Sequence, residues 1–277
     1  MRKWLSFASY ALVALALLNG RGTPAHAAAP RIVSLMPSLT EDLFAIGAGA
    51  QVVGTSQFTD YPPAATRLPA VGSFAAVDAE RIRALHPDVV VGIPAQAARL
   101  TDVRRLGVRV VFLRDDGYED IFTDIATLGR LSGHVPAATH LIAHLHAETA
   151  ALTRRVRGAR RPSVFVVLGV APIFTVGDTS YIARLIALAG GRNATGPLRD
   201  AYPRYSAEAL VALHPDVLVG DSASGLRGVL DRSPWNALGA VHNGRVYVLR
   251  DAALLERPGP RYNRGLAWLI AKLHPHG

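Results

Sequence analysis

The chain has no cysteine among its 277 residues. This excludes disulfides, thiolate chemistry and the lipid-bearing cysteine that would tether an exported bacterial protein to a membrane. Aromatic residues make up only 7% of it, so each one outside the core carries weight. The basic residues are nearly all arginine and lie scattered, with a single run, RRVRGARR at Arg154–Arg161. A nucleic-acid surface needs a concentrated basic stripe with aromatic or groove-reading partners, so this run reads as a solvated helix end. Nucleophile elbows of the form G-x-S-x-G, phosphate loops of the form G-x-x-x-x-G-K and the H-E-x-x-H zinc pattern are all missing, and no catalytic residue is assigned. The Gly-rich GGRNATG at Gly190–Gly196 follows a helical stretch and reads as a helix cap and loop; the sequon at Asn193 reads as idle.

After the amino terminus no stretch is apolar for long enough to cross a bilayer. The first residues differ in kind. Arg2 and Lys3 precede an apolar run from Trp4 to Leu18, then a polar stretch and the small-residue site Ala25-His26-Ala27. That order is that of a secretory signal peptide over residues 1–27, cleaved after Ala27; a membrane anchor, the other reading, wants a run of about 20 residues. The expected location is periplasmic, without a lipid anchor. The formal charge is +9, and the leader holds three basic residues, Arg2, Lys3 and Arg21, and no acid, so +9 less 3 leaves +6 on the mature chain.

One stretch is written twice. AERIRALHPDVVVG at Ala79–Gly92 returns as AEALVALHPDVLVG at Ala207–Gly220, identical at ten of fourteen positions. Each copy opens on an N-cap residue, Asp78 or Ser206, with a glutamate, Glu80 or Glu208, where a negative charge suits the start of a helix. Apolar residues follow at helical spacing, Pro87 or Pro215 disfavours helical geometry at the preceding histidine, and a short β-branched run closes on glycine. The unit is a helix, a tight turn and a strand buried on both faces.

Similar alternation continues elsewhere. Strands are expected at Arg31–Pro37, Val108–Leu113 and Ser163–Gly169, and helices at Asp120–Leu131 and Tyr181–Ala189. Ser38 and Glu41 have the spacing of a capping box for a helix running through Ile46. Pro136–Arg157 has helical periodicity without internal glycine or proline. The fold class is therefore α/β: two lobes with parallel sheets, at residues 28–134 and 159–277, joined by one long connecting helix over 135–158. His140, His144 and His146 share that helix. His140 and His144 stand one turn apart, but two imidazoles on a solvated face need further ligands and Glu148 is the one obvious neighbour, so no metal site is assigned.

Three motifs besides the repeat, RIVSLMPSLTEDLFAIGAG, TDYPPAATRLPAVGSF with its DYPP at Asp60–Pro63, and ERPGPRYNRGLAWL, give the chain a specific likeness. Over nearly the whole mature length it resembles the class III, helical-backbone solute-binding proteins of ABC importers, which carry cobalamin, haem or ferric siderophores, and above all their vitamin B12-binding branch. The resemblance implies a monomeric, non-enzymatic carrier that takes a corrinoid, vitamin B12 or a precursor such as cobinamide, into the cleft between its lobes, with no other cofactor. It further implies that Glu80 and Glu208 pair with arginines of the ABC permease at the inner membrane. Taken singly, each glutamate is explained by its helix start; docking explains why both lobes carry one.

By the same resemblance Phe58, Phe74, Phe174 and Tyr202 fall at aromatic cleft positions, with Tyr61 close by. Flat apolar rings with polar fringes call for such planes. The sequence departs from the branch where Ile93, Leu168, Ala253 and Leu254 replace further aromatics and an acid, which makes the cleft more aliphatic. Haem carriers of the class often supply a ligating tyrosine near Phe74, and phenylalanine cannot ligate. Siderophore carriers grip anionic complexes with residues such as arginine, a role open to Arg257 or Arg261, although ERPGPR also suits a structural role with Arg261 near a helix start.

Overall fold

In the computed structural model, residues 29–114, 117–198 and 200–275 are described. The leader at 1–27 lies outside them. The first lobe runs β1 (Ile32–Ser34), α1 (Pro37–Ala45), β2 (Val52–Thr55), α2 (Ala79–Ala84), β3 (Val89–Gly92), α3 (Thr101–Arg105), β4 (Arg109–Phe112) and α4 (Asp120–Ser132). Helix α5 (Val135–Arg154) follows, about 30 Å long at 1.5 Å per residue. The second lobe runs β5 (Ser163–Val167), β6 (Gly169–Val170), β7 (Ile173–Phe174), α6 (Tyr181–Leu188), β8 (Arg192–Asn193), β9 (Arg204–Tyr205), α7 (Ala207–Leu213), β10 (Val217–Asp221), α8 (Gly239–His242), β11 (Val246–Leu249), α9 (Ala253–Glu256) and α10 (Tyr262–Leu273). Each lobe holds a four-stranded parallel sheet, ordered β2-β1-β3-β4 and β11-β10-β5-β8. A small antiparallel sheet, β6-β7-β9, is added to the second.

The repeat accounts for a strand with neighbours on both sides in each sheet, and its two copies match in detail. Asp78 accepts a hydrogen bond from the Arg81 amide at 2.9 Å, and Ser206 from the Ala209 amide at 3.1 Å. Ile82 and Leu210 are fully buried. The histidines before the prolines take left-handed backbone, φ 46° at His86 and 45° at His214, which ends each helix abruptly. The aspartates after the prolines then fasten the neighbouring strand: Asp88 accepts from the Arg31 amide and Asp216 from the Ser163 amide, each at 2.7 Å. The HPD triplet is thus a turn and a strand clasp in one.

Strand residues alternate between two cores, as a period of two requires. Ile32, Val89 and Val91 of the first lobe and Val164, Val166, Val217 and Val219 of the second belong to one continuous cluster, which α4, α5, α6 and α10 complete. The opposite faces are covered separately, by Ile82, Leu100 and Val103 in the first lobe and by Leu210, Leu226 and Trp235 in the second. The lobes therefore share their inner core. A hydroxyl cluster pins the same joint: Tyr262 of α10 lies 2.6 Å from the Thr149 hydroxyl of α5 and 3.1 Å from the Tyr118 hydroxyl of the first lobe.

Two expectations are corrected. No capping box forms at Ser38 and Glu41, because Met36 occupies the N-cap position, Pro37 opens the helix and Ser38 is already inside it; Glu41 turns instead to two arginines of the other lobe. GGRNATG begins as the expected cap, with Gly190 at φ 74°, but Arg192 and Asn193 then form an edge strand paired with β5. The Asn193 side chain is buried and donates to the Val176 carbonyl at 3.1 Å, so the sequon offers no free amide.

Candidate functional site

The carboxyl ends of the two sheets face one another. The loop after β2 brings Asp60, the N-terminal half of α1 brings Glu41 and the segment after β4 brings Tyr118, and all three meet residues that follow β11. This is the edge at which open α/β sheets bind ligands.

On the first lobe, Phe58 and Phe74 stand on adjoining turns. The Phe58 amide donates to Ser56 Oγ at 3.3 Å, and the Gln57 amide reaches the Gly72 carbonyl at 2.8 Å. Gly72, at φ 133°, opens a tight turn closed by the Ser73 amide on the Ala76 carbonyl, with Phe74 at its tip. The Arg99 guanidinium lies 5.3 Å from the Phe74 ring centroid and donates to the Ala75 carbonyl. The second lobe has a counterpart in its small antiparallel sheet. Phe174 pairs with Arg204, whose guanidinium lies 5.6 Å from its ring centroid, and Tyr202 sits beyond the end of that ladder.

Exposure separates these residues from the core. Phe58, Phe74 and Tyr202 are 58%, 43% and 45% exposed, and the only other exposed large hydrophobic residues among those described are Leu106 and Val135. Phe174 is half-buried. Tyr61 is placed differently: its ring lies 4.0 Å from the Arg261 guanidinium, in the wall of a cavity of about 680 Å³ between the 61–64 loop, α5 and the start of α10. None of the other four aromatics lines that cavity. Of the aliphatic departures, Ile93 and Ala253 are buried, and Leu168 and Leu254 are half-buried.

Charge crosses the cleft at one seam. Arg261 donates to both carboxylate oxygens of Glu41, at 2.6 and 2.8 Å, and to Asp251 at 3.2 Å. Arg257 reaches Glu41 at 3.3 Å and Asp60 at 3.0 Å. Both arginines are thereby spent on carboxylates of this chain. The hydrogen bond from Arg257 holds the Asp60 carboxyl below the usual carboxylate range. Behind the seam, Asp42 is pushed well above that range, first by burial and then by the charges of Asp124 and Glu41. Glu256 is exposed as a residue, yet loss of water around its carboxyl and a hydrogen bond with the buried Asp221 raise it to about 8.

Glu80 and Glu208 are exposed in the first turns of α2 and α7. On α5, His144 faces Glu148 at 3.9 Å and His146 stacks on Phe122 at 4.0 Å. No group of three or more potential ligands is gathered for a metal among the described residues. The sequence reading missed the Glu41–Arg257–Asp60 seam. Its one signal was the pair of arginines in ERPGPR, and nothing local in the sequence names their partners some two hundred residues away.

Two α/β lobes, each built on a four-stranded parallel sheet and sharing one inner core, define a two-lobed α/β protein. The chain belongs to the periplasmic binding protein family, whose pattern it matches over residues 32–253. It is a periplasmic binding protein of the ABC importer class and not an enzyme. It is 32% identical over 194 residues to a vitamin B12-binding protein of Salmonella choleraesuis (strain SC-B67), covering 69% of this chain and 72% of that one. Among solved structures it resembles the periplasmic vitamin B12-binding protein of Vibrio cholerae, with a TM-score of 0.79, 26% identity and coverage of 89% of this chain and 97% of that one. It resembles equally a periplasmic heme-binding protein of Roseiflexus sp. RS-1 in apo form, with a TM-score of 0.79, 30% identity and coverage of 89% and 98%.

Proposed function

We propose that this protein captures a corrinoid, vitamin B12 or a precursor such as cobinamide, between its lobes and delivers it to an ABC permease, which it meets through Glu80 and Glu208. The supporting observation is the exposure of Phe58, Phe74 and Tyr202 in a chain whose aromatic content is low. Exposed rings carry an unfavourable contact with water that a flat, largely apolar ligand bound between the lobes would remove. In this reading Phe174 completes the set and Tyr61 braces the seam. The chain is exported behind a leader cleaved after Ala27 and works untethered, having no cysteine to lipidate.

Haem is the second reading, favoured by the resemblance to a heme-binding structure. Phe74, at the tip of its turn, has no oxygen to offer iron. An anionic siderophore fits less well, because Arg261 already pairs with the buried Glu41 and with Asp251.

Calorimetric titration of residues 28–277 with cyanocobalamin, cobinamide, haemin and a ferric hydroxamate separates these readings. Tight one-to-one binding of a corrinoid alone is expected. Binding of haemin or the hydroxamate with silence toward both corrinoids overturns the corrinoid assignment and leaves the fold untouched.

A further inference from the structure

Phe58 is more than half exposed, so packing does not hold its ring in place; its position depends on its backbone. Within its own lobe the 57–60 segment is tied by the Phe58 amide to Ser56 Oγ, the Thr59 amide to the Ser56 carbonyl at 3.0 Å and the Gln57 amide to the Gly72 carbonyl. The Phe58 carbonyl and the Asp60 carboxylate turn to the other lobe. There Arg257 donates to Asp60 Oδ2 at 3.0 Å and lies 3.5 Å from the Phe58 carbonyl through the same nitrogen.

The seam has two halves of different character. Arg261 and Glu41 are both well buried, with two short charge-assisted bonds, and such a pair is costly to separate. Pro258, Gly259 and Pro260 place Arg257 one short, stiff step away from it. Asp60, which Arg257 grips through both of its terminal nitrogens, is by contrast 62% exposed, where an ion pair is screened by salt and is the weaker half of the seam.

We propose that Arg257 and Asp60 form a breakable latch across the cleft that positions the Phe58 segment for ligand, anchored by the fixed Arg261–Glu41 pair. The proposal rests on the corrinoid reading for its ligand. Arg257 is a positioning residue: with the latch closed, ligand meets an ordered Phe58, and with it open, binding must also order the segment. The latch acts mainly on release.

The test is Asp60→Asn, a change at an exposed site. In the ligand-free protein, amide exchange at residues 57–60 should quicken several-fold while residues 73–76 and the melting temperature stay unchanged. Cyanocobalamin release should quicken about five- to tenfold, with Arg257→Lys intermediate. Salt raised to about 1 M should hasten release from the wild type and leave the Asp60→Asn variant unaffected. Unchanged exchange at 57–60 overturns the latch whether or not a corrinoid binds. Faster exchange with unchanged release overturns its positioning role. A wild type that binds no corrinoid defeats the functional reading, and the latch is then judged on exchange alone.

Discussion

Phe58 keeps 58% of its surface in water, so its ring is free to serve a contact outside the folded chain. Phe58 and Tyr202 contribute little to folding where they stand, so Phe58→Ala and Tyr202→Ala should each change stability by no more than about 0.5 kcal/mol. Each should nevertheless weaken corrinoid binding about tenfold, the effect of losing one aromatic contact of about 1.4 kcal/mol. Calorimetry on the two variants measures both quantities, and a loss of stability without a loss of affinity would mark them as core. Asp216 is the opposite case. Partial burial would raise its pKa, but the Ser163 amide and hydroxyl and the Arg160 guanidinium together hold it below the usual value. A carboxyl depressed in the folded state stabilises the protein above its unfolded pKa of about 3.9, and that contribution is lost as pH falls through the lower folded value. Asp216→Asn should therefore cost about 1–2 kcal/mol at pH 7. Denaturant melts should show the gap from wild type closing below about pH 4.

At the scale of elements, the turn from Gly72 to Val77 illustrates how backbone geometry sets a side chain's position. A Cβ at Gly72 would lie 2.3 Å from the Ala76 carbonyl oxygen, on a backbone at φ 133°, a conformation that costs little only for glycine. Gly72→Ala should open the turn, displace Phe74 and weaken ligand binding by more than Phe74→Ala does, because the Gln57 tie to the Gly72 carbonyl is disturbed with it. Equal losses in the two variants, measured by titration, would show that the turn serves only Phe74. The repeat was legible here to an unusual degree. Cap, apolar spacing, proline stop and β-branched run agree with one another in both copies, and such consistency is what makes local structure readable. The left-handed histidines and the clasping role of Asp88 and Asp216 were not legible, since each depends on the strand that happens to lie beside the turn.

At the scale of the whole molecule, the shared inner core makes two lobes behave as one body. Leu145, at the middle of α5 and 2% exposed, packs in the cluster that joins them. Leu145→Ala should cost about 2–5 kcal/mol, and scanning calorimetry should show one transition shifted downward, not two of which one moves. Two resolved peaks would mean that the lobes unfold separately. In the proposed docking, Glu80 and Glu208, at the starts of equivalent helices in the two lobes, would meet a partner with two equivalent subunits. Reversing both, as Glu80→Arg with Glu208→Arg, should abolish uptake in cells while ligand affinity stays within about twofold, because rim charges govern encounter and register. Normal uptake by the double variant would remove the docking role.

The sequence by itself determined the α/β class, the doubled unit and the long joining helix, because all of these rest on period, capping and composition, which are local. Only the tertiary structure decided that Glu41 leaves its helix start for Arg257 and Arg261, that Tyr61 braces Arg261 apart from the other aromatics and that Tyr118, Thr149 and Tyr262 lock three parts of the chain at one hydroxyl. Those contacts join residues up to 220 positions apart. Their partners are selected by how the two sheets pack across the shared core, and no local pattern in the chain records that packing.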